Sequence, residues 1–200
     1  PPDVNKSDKF FDAYDGQIVY GLAGIKGLGE GVAEAIIKER NENGPYKDFI
    51  DFLERLSESG INKKALEVLI KTGGFDQIEN NRNQLMVNME KAVNYVNSKK
   101  EASKYGQISL FESNDIQEFD EFKYEEVEDW PILERLQIEK ELTGFYLSGH
   151  PLDAYEKVLK RCTTMSSAKL TQSMANTEYI AAGMIKDIRA FATKKGQGPM

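Results

Sequence analysis

"GLAGIKGLGEGVAEAIIKER", residues 21–40, decides how the rest of the chain is read. Gly27-Leu28-Gly29 stands directly before a segment whose apolar residues Val32, Ala33, Ile36 and Ile37 recur at helical spacing. Glycine reaches positive φ without steric cost and lets a second backbone come close. The helix that follows offers unpaired N–H groups at the positive end of its dipole. A glycine hairpin at that end, with Gly31 in the first turn and Lys26 alongside, suits an anion of phosphate type. Leu28, between the glycines, is placed to pin the hairpin to a core. A plain turn between helices has the same composition, and Gly-x-Gly alone does not separate the two readings.

Outward from this stretch the pattern is helical. Asn43, Gly44 and Pro45 stop the first helix. "KDFIDFLERL" is a second, with Asp48 as N-cap and Phe49, Phe52, Leu53 and Leu56 on one face. "GINKKALEVLIKTGGF" is a third, capped by Asn62, with Leu66, Leu69 and Ile70 inward and Gly73 as its stop. A fourth runs from about Asn81 to Asn97 on Leu85, Met86, Met89, Ala92, Val93 and Val96. The third helix looks like a degenerate second copy of the first. It lacks the glycines but carries Lys63 and Lys64 at its start, where cations oppose the macrodipole. Those lysines either meet an external anion or are simply solvated. Upstream, residues 1–17 read as loop and "QIVYGL" as a short strand.

Residues 99–129 read as a charged, aperiodic linker. "WPILERLQIEKELTGF" and "HPLDAYEKVLKR" are two further short helices, the first opened by Pro131 and ended by Gly144. From Tyr179 the texture is strand-like, so residues 165–200 are expected to begin a β domain whose remainder is missing. Trp130, Phe145 and Tyr146 are expected in the core. Lys194 and Lys195 stand at a turn from which they could touch single-stranded nucleic acid.

Composition removes several classes of function. The chain has 200 residues, 40% hydrophobic and 30% charged, which suits a soluble globular protein. No apolar run has the length of a bilayer span, and "PPDVNKSDKF" carries no signal-peptide pattern. One cysteine and one histidine exclude a disulfide framework and the usual zinc sites, and fit a reducing cytoplasm. Net charge is −7, but residues 112–141 hold twelve acids against three bases, so the remainder is slightly basic. The acidic run Glu112 to Asp129 shows no ligand geometry and reads as a solvated spacer. His150, with no nucleophile beside it in sequence, reads as a turn residue. No catalytic or metal-ligating residue is assigned.

The hairpin resembles the helix-hairpin-helix motif, in which a Gly-hydrophobic-Gly turn grips the DNA backbone without reading sequence. Lys26, Gly27, Leu28, Gly29 and Gly31 match it, Arg40 downstream supports it, and Lys63 and Lys64 mark the second copy. Four blocks extend the likeness to the whole chain: "PPDVNKS", "IVYGLAGIKGLGEG", "NKKALEVLIKTGGFD" and "EKELTGFYLSGHPLDAY". In this order they resemble the replicative C-family DNA polymerases of bacteria, the polymerase III alpha subunits. That resemblance implies a mainly α fold. Residues 1–20 would end the fingers region and 21–98 form a tandem helix-hairpin-helix domain. Residues 99–129 would be a linker, 130–164 a helical connector and 165–200 the first strands of an incomplete OB-fold. It implies primer-template duplex as partner, further holoenzyme subunits reached through the missing C-terminal region, and no membrane. The catalytic aspartates and Mg2+ of that family lie in the upstream palm, and this chain has no Asp-x-Asp pair. The segment is therefore expected to need no cofactor and to extend no primer alone.

Gln107-Ile108-Ser109-Leu110-Phe111 resembles the pentapeptide by which bacterial proteins bind the sliding clamp, and sits where these polymerases carry an internal copy. Leu110 and Phe111 would enter an apolar pocket and Gln107 would bond at its edge. Burying two such side chains is worth roughly 1.5–3 kcal/mol each, less the cost of ordering. The peptide alone then binds on the order of micromolar, and DNA threaded through the clamp supplies the rest by effective concentration. A tuck against neighbouring helices is the alternative. For the chain as a whole, an error-prone relative or a helical scaffold without DNA binding are the competing readings.

Overall fold

A computed structural model describes residues 1–14, 16–109, 121–164, 178–185 and 187–189, with only the backbone described at 14, 17 and 103–109. The fold is mainly α. Two short strands, β1 (Asp12–Tyr14) and β2 (Gln17–Val19), form an antiparallel hairpin in which Ala13 faces Ile18. A single 3-10 turn, Leu22–Gly24, leads to α1 (Glu30–Asn43). α2 (Phe49–Leu56), α3 (Lys63–Thr72) and α4 (Arg82–Ser109) follow, then α5 (Ile132–Thr143), a second 3-10 turn and α6 (Glu156–Cys162). β1 falls in a segment expected to be loop. Its three residues gain strand character from pairing with β2.

The apolar faces meet as their spacing predicts. Asp48 and Asn62 accept from the amides of Asp51 and Ala65 and start α2 and α3. Phe49, Phe52, Leu53 and Leu56 of α2 pack with Leu66, Leu69 and Ile70 of α3 and Leu85, Met89, Ala92 and Val96 of α4. Phe75 closes this core, edge-on to Phe49 and Phe52. Ala33 and Ile36 bring α1 into it.

α4 runs twelve residues past its expected end at Asn97. The apolar period stops at Val96, but Lys99, Lys100, Glu101 and Ala102 are good helix formers. The end of an apolar stripe marks where a helix leaves the core, not where the helix ends. The described part of the acidic segment, residues 121–129, also differs from a solvated spacer. Residues 121–130 have no regular structure, yet Phe122 and Tyr124 pack on the core. Asn88, almost fully buried, donates to Glu125 O and accepts from Glu125 N at 2.9 and 2.8 Å. Asn81 and Asn83 donate to Val127 O and Glu128 O, each at 2.7 Å, and Lys91 to Lys123 O at 3.1 Å. The segment is a strap laid along α4, held by side-chain amides that satisfy its backbone.

Compact packing divides the chain after Ser148. The first unit, 1–148, includes α5, whose buried face is Leu136, Glu139 and Thr143. Glu139 is fully buried. Its carboxylate accepts from Leu147 N at 2.8 Å, Ser148 N at 2.9 Å, Arg82 at 2.8 Å and the Ser148 hydroxyl. Arg82, also buried, makes a two-pronged pair with Asp76 at 2.8 and 2.7 Å. Burial alone would raise the Glu139 carboxyl, but bonds from Ser148, Leu147 and Arg82 outweigh it and hold the carboxyl below its usual range.

In the second unit, 149–200, His150, Leu152 and Asp153 form a hydrogen-bonded turn before α6. No strand occurs beyond β2 among the described residues. Ile180 exchanges bonds with Thr164 at 3.0 and 2.9 Å, while Ile185 and Ile188 are exposed. The expected opening β strands are therefore not formed at 178–185 or 187–189, where this single pairing gives no ladder. Most of the segment expected to open that domain, with Lys194 and Lys195, lies outside the described residues.

Candidate nucleic-acid interface

Residues 25–32 build the site that the sequence singles out. Leu28 is buried at 3% exposure and anchors the hairpin in the core. Gly27 and Gly29 on either side are exposed, with φ of +91° and +82°. A side chain at either position would be strained. Gly29 is the N-cap of α1 and, having no side chain, caps nothing. Its carbonyl takes the amide of Ala33 at 3.2 Å, which leaves the amides of the first turn pointing outward. That is a candidate anion cradle at the positive end of a fourteen-residue helix.

The lysines sort differently from expectation. Lys26 is no mobile cation beside the hairpin. Its ammonium donates to Glu141 O and its amide to Leu142 O, both at 3.0 Å, at the carbonyl-rich end of α5. Lys63 is ion-paired with Glu90 of α4, which holds its ammonium above the usual range and the Glu90 carboxyl below. Lys64 has no ion pair among the described residues, and it lies against the hairpin. A Cβ at Gly27 would stand 3.3 Å from Lys64 Cε and 3.6 Å from Val68 Cγ1. The second, degenerate element therefore meets the first through Lys64. Gly31 is exposed at the cradle, and Glu30 beside it is neutralised by Lys9 at 2.9 Å. Arg40 is spent on structure, donating to Val4 O at 3.0 Å.

Gln107, Ile108 and Ser109 end α4, and Leu110 and Phe111 lie outside the described residues. Phe145 is exposed, not core, at 58%, and Lys140 lies 6.0 Å from its ring. The described residues contain no cluster of three or more His, Cys, Asp or Glu placed to hold a metal ion. The converging carboxylates Asp76 and Glu139 are filled by Arg82 and backbone amides and do not fit one. No helix among the described residues is long and apolar enough to cross a membrane.

Two contributors escaped sequence reasoning. Glu90, which occupies Lys63, is one of many acids on a solvated face. The last turn of α5, which holds Lys26, lies more than a hundred residues away. Glu139 left a faint trace, a carboxylate in register with Leu136 and Thr143 on one helix face.

This hairpin, pinned by its central leucine and opening on an uncapped helix, defines a class. Residues 1–85 match the family model described as the helix-hairpin-helix motif. The particular relationship is closer and covers nearly the whole chain. It is 41% identical over 98% of its length to the DNA polymerase III subunit alpha of Treponema pallidum (strain Nichols). It is 40% identical over 100% to that of Borreliella burgdorferi and 36% identical over 98% to that of Vibrio cholerae. Over nearly its whole length the chain is homologous to one segment of the DNA polymerase III alpha subunits. It spans only 17%, 18% and 17% of those three relatives.

Proposed function

We propose that the chain is the duplex-gripping and clamp-tethering segment of a bacterial replicative DNA polymerase. The whole polypeptide would carry out DNA-directed DNA synthesis, with its catalytic aspartates and Mg2+ outside this segment. The observation that carries the reading is the exposed Gly27–Gly29 hairpin, opening on the uncapped N-terminus of α1 beside Lys64. Backbone amides and a lysine recognise phosphate and no base, so the grip is independent of sequence. The clamp-binding peptide is 107–111. α4 carries the backbone of its first three residues about 20 Å past Val96, the last buried residue among those of that helix whose side chains are described, at 1.5 Å per residue. A peptide tethered at that point of the chain would be able to reach a ring around the same duplex.

The test is titration of duplex of unrelated sequences at several salt concentrations, with wild type and Gly29→Val. A side chain at φ +82° closes the cradle. Wild type binds all sequences alike, with an affinity that falls steeply with salt, and Gly29→Val loses most of it. Salt-independent binding, or a Gly29→Val protein equal to wild type, refutes the duplex reading. The clamp is tested separately, by capture with Leu110→Ala/Phe111→Ala protein; undiminished capture refutes that part.

A further inference from the structure

We propose that Tyr20 and the last turn of α5 form a brace that sets the position of the glycine hairpin, with Tyr20 as a positioning residue for the phosphate site. This rests on the duplex reading above. The brace acts on residues 24–26, directly before the hairpin. The Tyr20 hydroxyl lies 3.0 Å from Gly24 O and 3.0 Å from Thr143 O. It has one proton, shared between two carbonyls that belong to elements 119 positions apart. The Tyr20 ring lies against Gly24, where an added Cβ would stand 3.0 Å from ring Cε1 and from the hydroxyl. Lys26 gives its amide to Leu142 O and its ammonium to Glu141 O.

Each side needs the other. The last carbonyls of a helix have no intrahelical donor. In α5 those of Glu141, Leu142 and Thr143 receive theirs from Lys26 and Tyr20. In return residues 24–26 are fixed to a helix that is itself locked by Arg82, Glu139 and Ser148. Leu28 holds the hairpin from below, and the brace sets its height and tilt. Tyr20 is buried at 6% exposure, so its ring gives stability wherever the hydroxyl goes. The hydroxyl adds only the link from hairpin to α5.

The test is Tyr20→Phe in the whole chain, which keeps the ring and removes the link, with Gly24→Ala as a second variant that pushes the ring away. Both bind duplex several-fold more weakly than wild type at temperatures where both remain folded. The slope of log K against log salt becomes shallower by about 0.9 for each phosphate that the variant no longer neutralises. Amide exchange at Lys26 accelerates without DNA present. A merely structural tyrosine lowers the melting temperature but leaves the slope and Lys26 exchange unchanged, and that result overturns the brace. If Gly29→Val weakens binding and Tyr20→Phe does not, the brace fails and the phosphate site stands. If Gly29→Val is also without effect, the phosphate site fails and the brace with it.

Discussion

Glu139→Gln isolates the buried charge network, because Gln has nearly the same shape but half its rim donates. Glu139 Oε2 takes two backbone amides, Leu147 and Ser148, and Oε1 takes Arg82 and the Ser148 hydroxyl. An amide nitrogen at the Oε2 position faces two N–H donors. At the Oε1 position it faces a guanidinium. Either way at least one buried donor is orphaned, and Arg82 keeps only Asp76 as counter-charge. Removing one partner of a buried pair costs about 3–5 kcal/mol. For a protein of this size each kcal/mol is about 2–4 °C in melting temperature, so the midpoint falls by about 10 °C. The assay is thermal or urea unfolding across pH. The folded-state pKa of Glu139 is depressed, so its contribution is complete above the unfolded glutamate value, about 4.3, and is lost as pH falls through the lower folded value. Wild type and Glu139→Gln therefore differ fully at neutral pH and converge in acid. A Gln variant as stable as wild type at pH 7, or a gap that does not close in acid, refutes the reasoning.

Glu90→Gln releases Lys63 from its ion pair; duplex binding then tightens at low salt and the salt slope steepens by about 0.9, and an unchanged slope places Lys63 away from the duplex. In wild type, burial pushes the Tyr124 phenol up to about 12, with Asp48 and Glu79 adding to the shift. Its stabilising contribution is thus complete below the unfolded value near 10 and lost as pH rises through the folded one. Asn88→Ala frees the strap at Glu125 and returns the Tyr124 NMR titration toward 10, whereas a wild-type midpoint already near 10 means the strap is not docked.

What the sequence made legible was what repeats locally. The faces of α2 and α3 follow from i, i+3, i+4 spacing between good caps, and the structure buries every residue assigned to them. Leu28 was legible because a large apolar residue between exposed glycines has few other uses. The far partners were not. Arg82 meets Glu139 and Ser148 at separations of 57 and 66 positions, and no window of sequence contains both sides. The strap was hidden for a related reason: acidic, aperiodic composition describes solvent exposure of side chains and is silent on what the backbone does. The signal that remained was on α4 itself. Asn81, Asn83 and Asn88 are poor helix formers that compete for backbone bonds, and such a cluster near a helix start implies that their amides are engaged elsewhere.

The strap also lies between the proposed clamp peptide and the proposed phosphate site along the chain's packing. Tyr95 of α4 and Phe122 of the strap meet ring to ring at 5.4 Å, so the stretch between them, which contains residues 107–111, begins and ends at nearly the same point. The strap is fixed by Asn88 on Glu125 and by Asp129, which accepts from the Asn83 amide at 3.1 Å and pairs with Arg135 of α5 at 2.8 Å. α5 is in turn held by Arg82 before its last turn meets the hairpin. Two buried polar anchors, Asn88 on Glu125 and Arg82 on Glu139, therefore stand along the path from the strap to the last turn of α5.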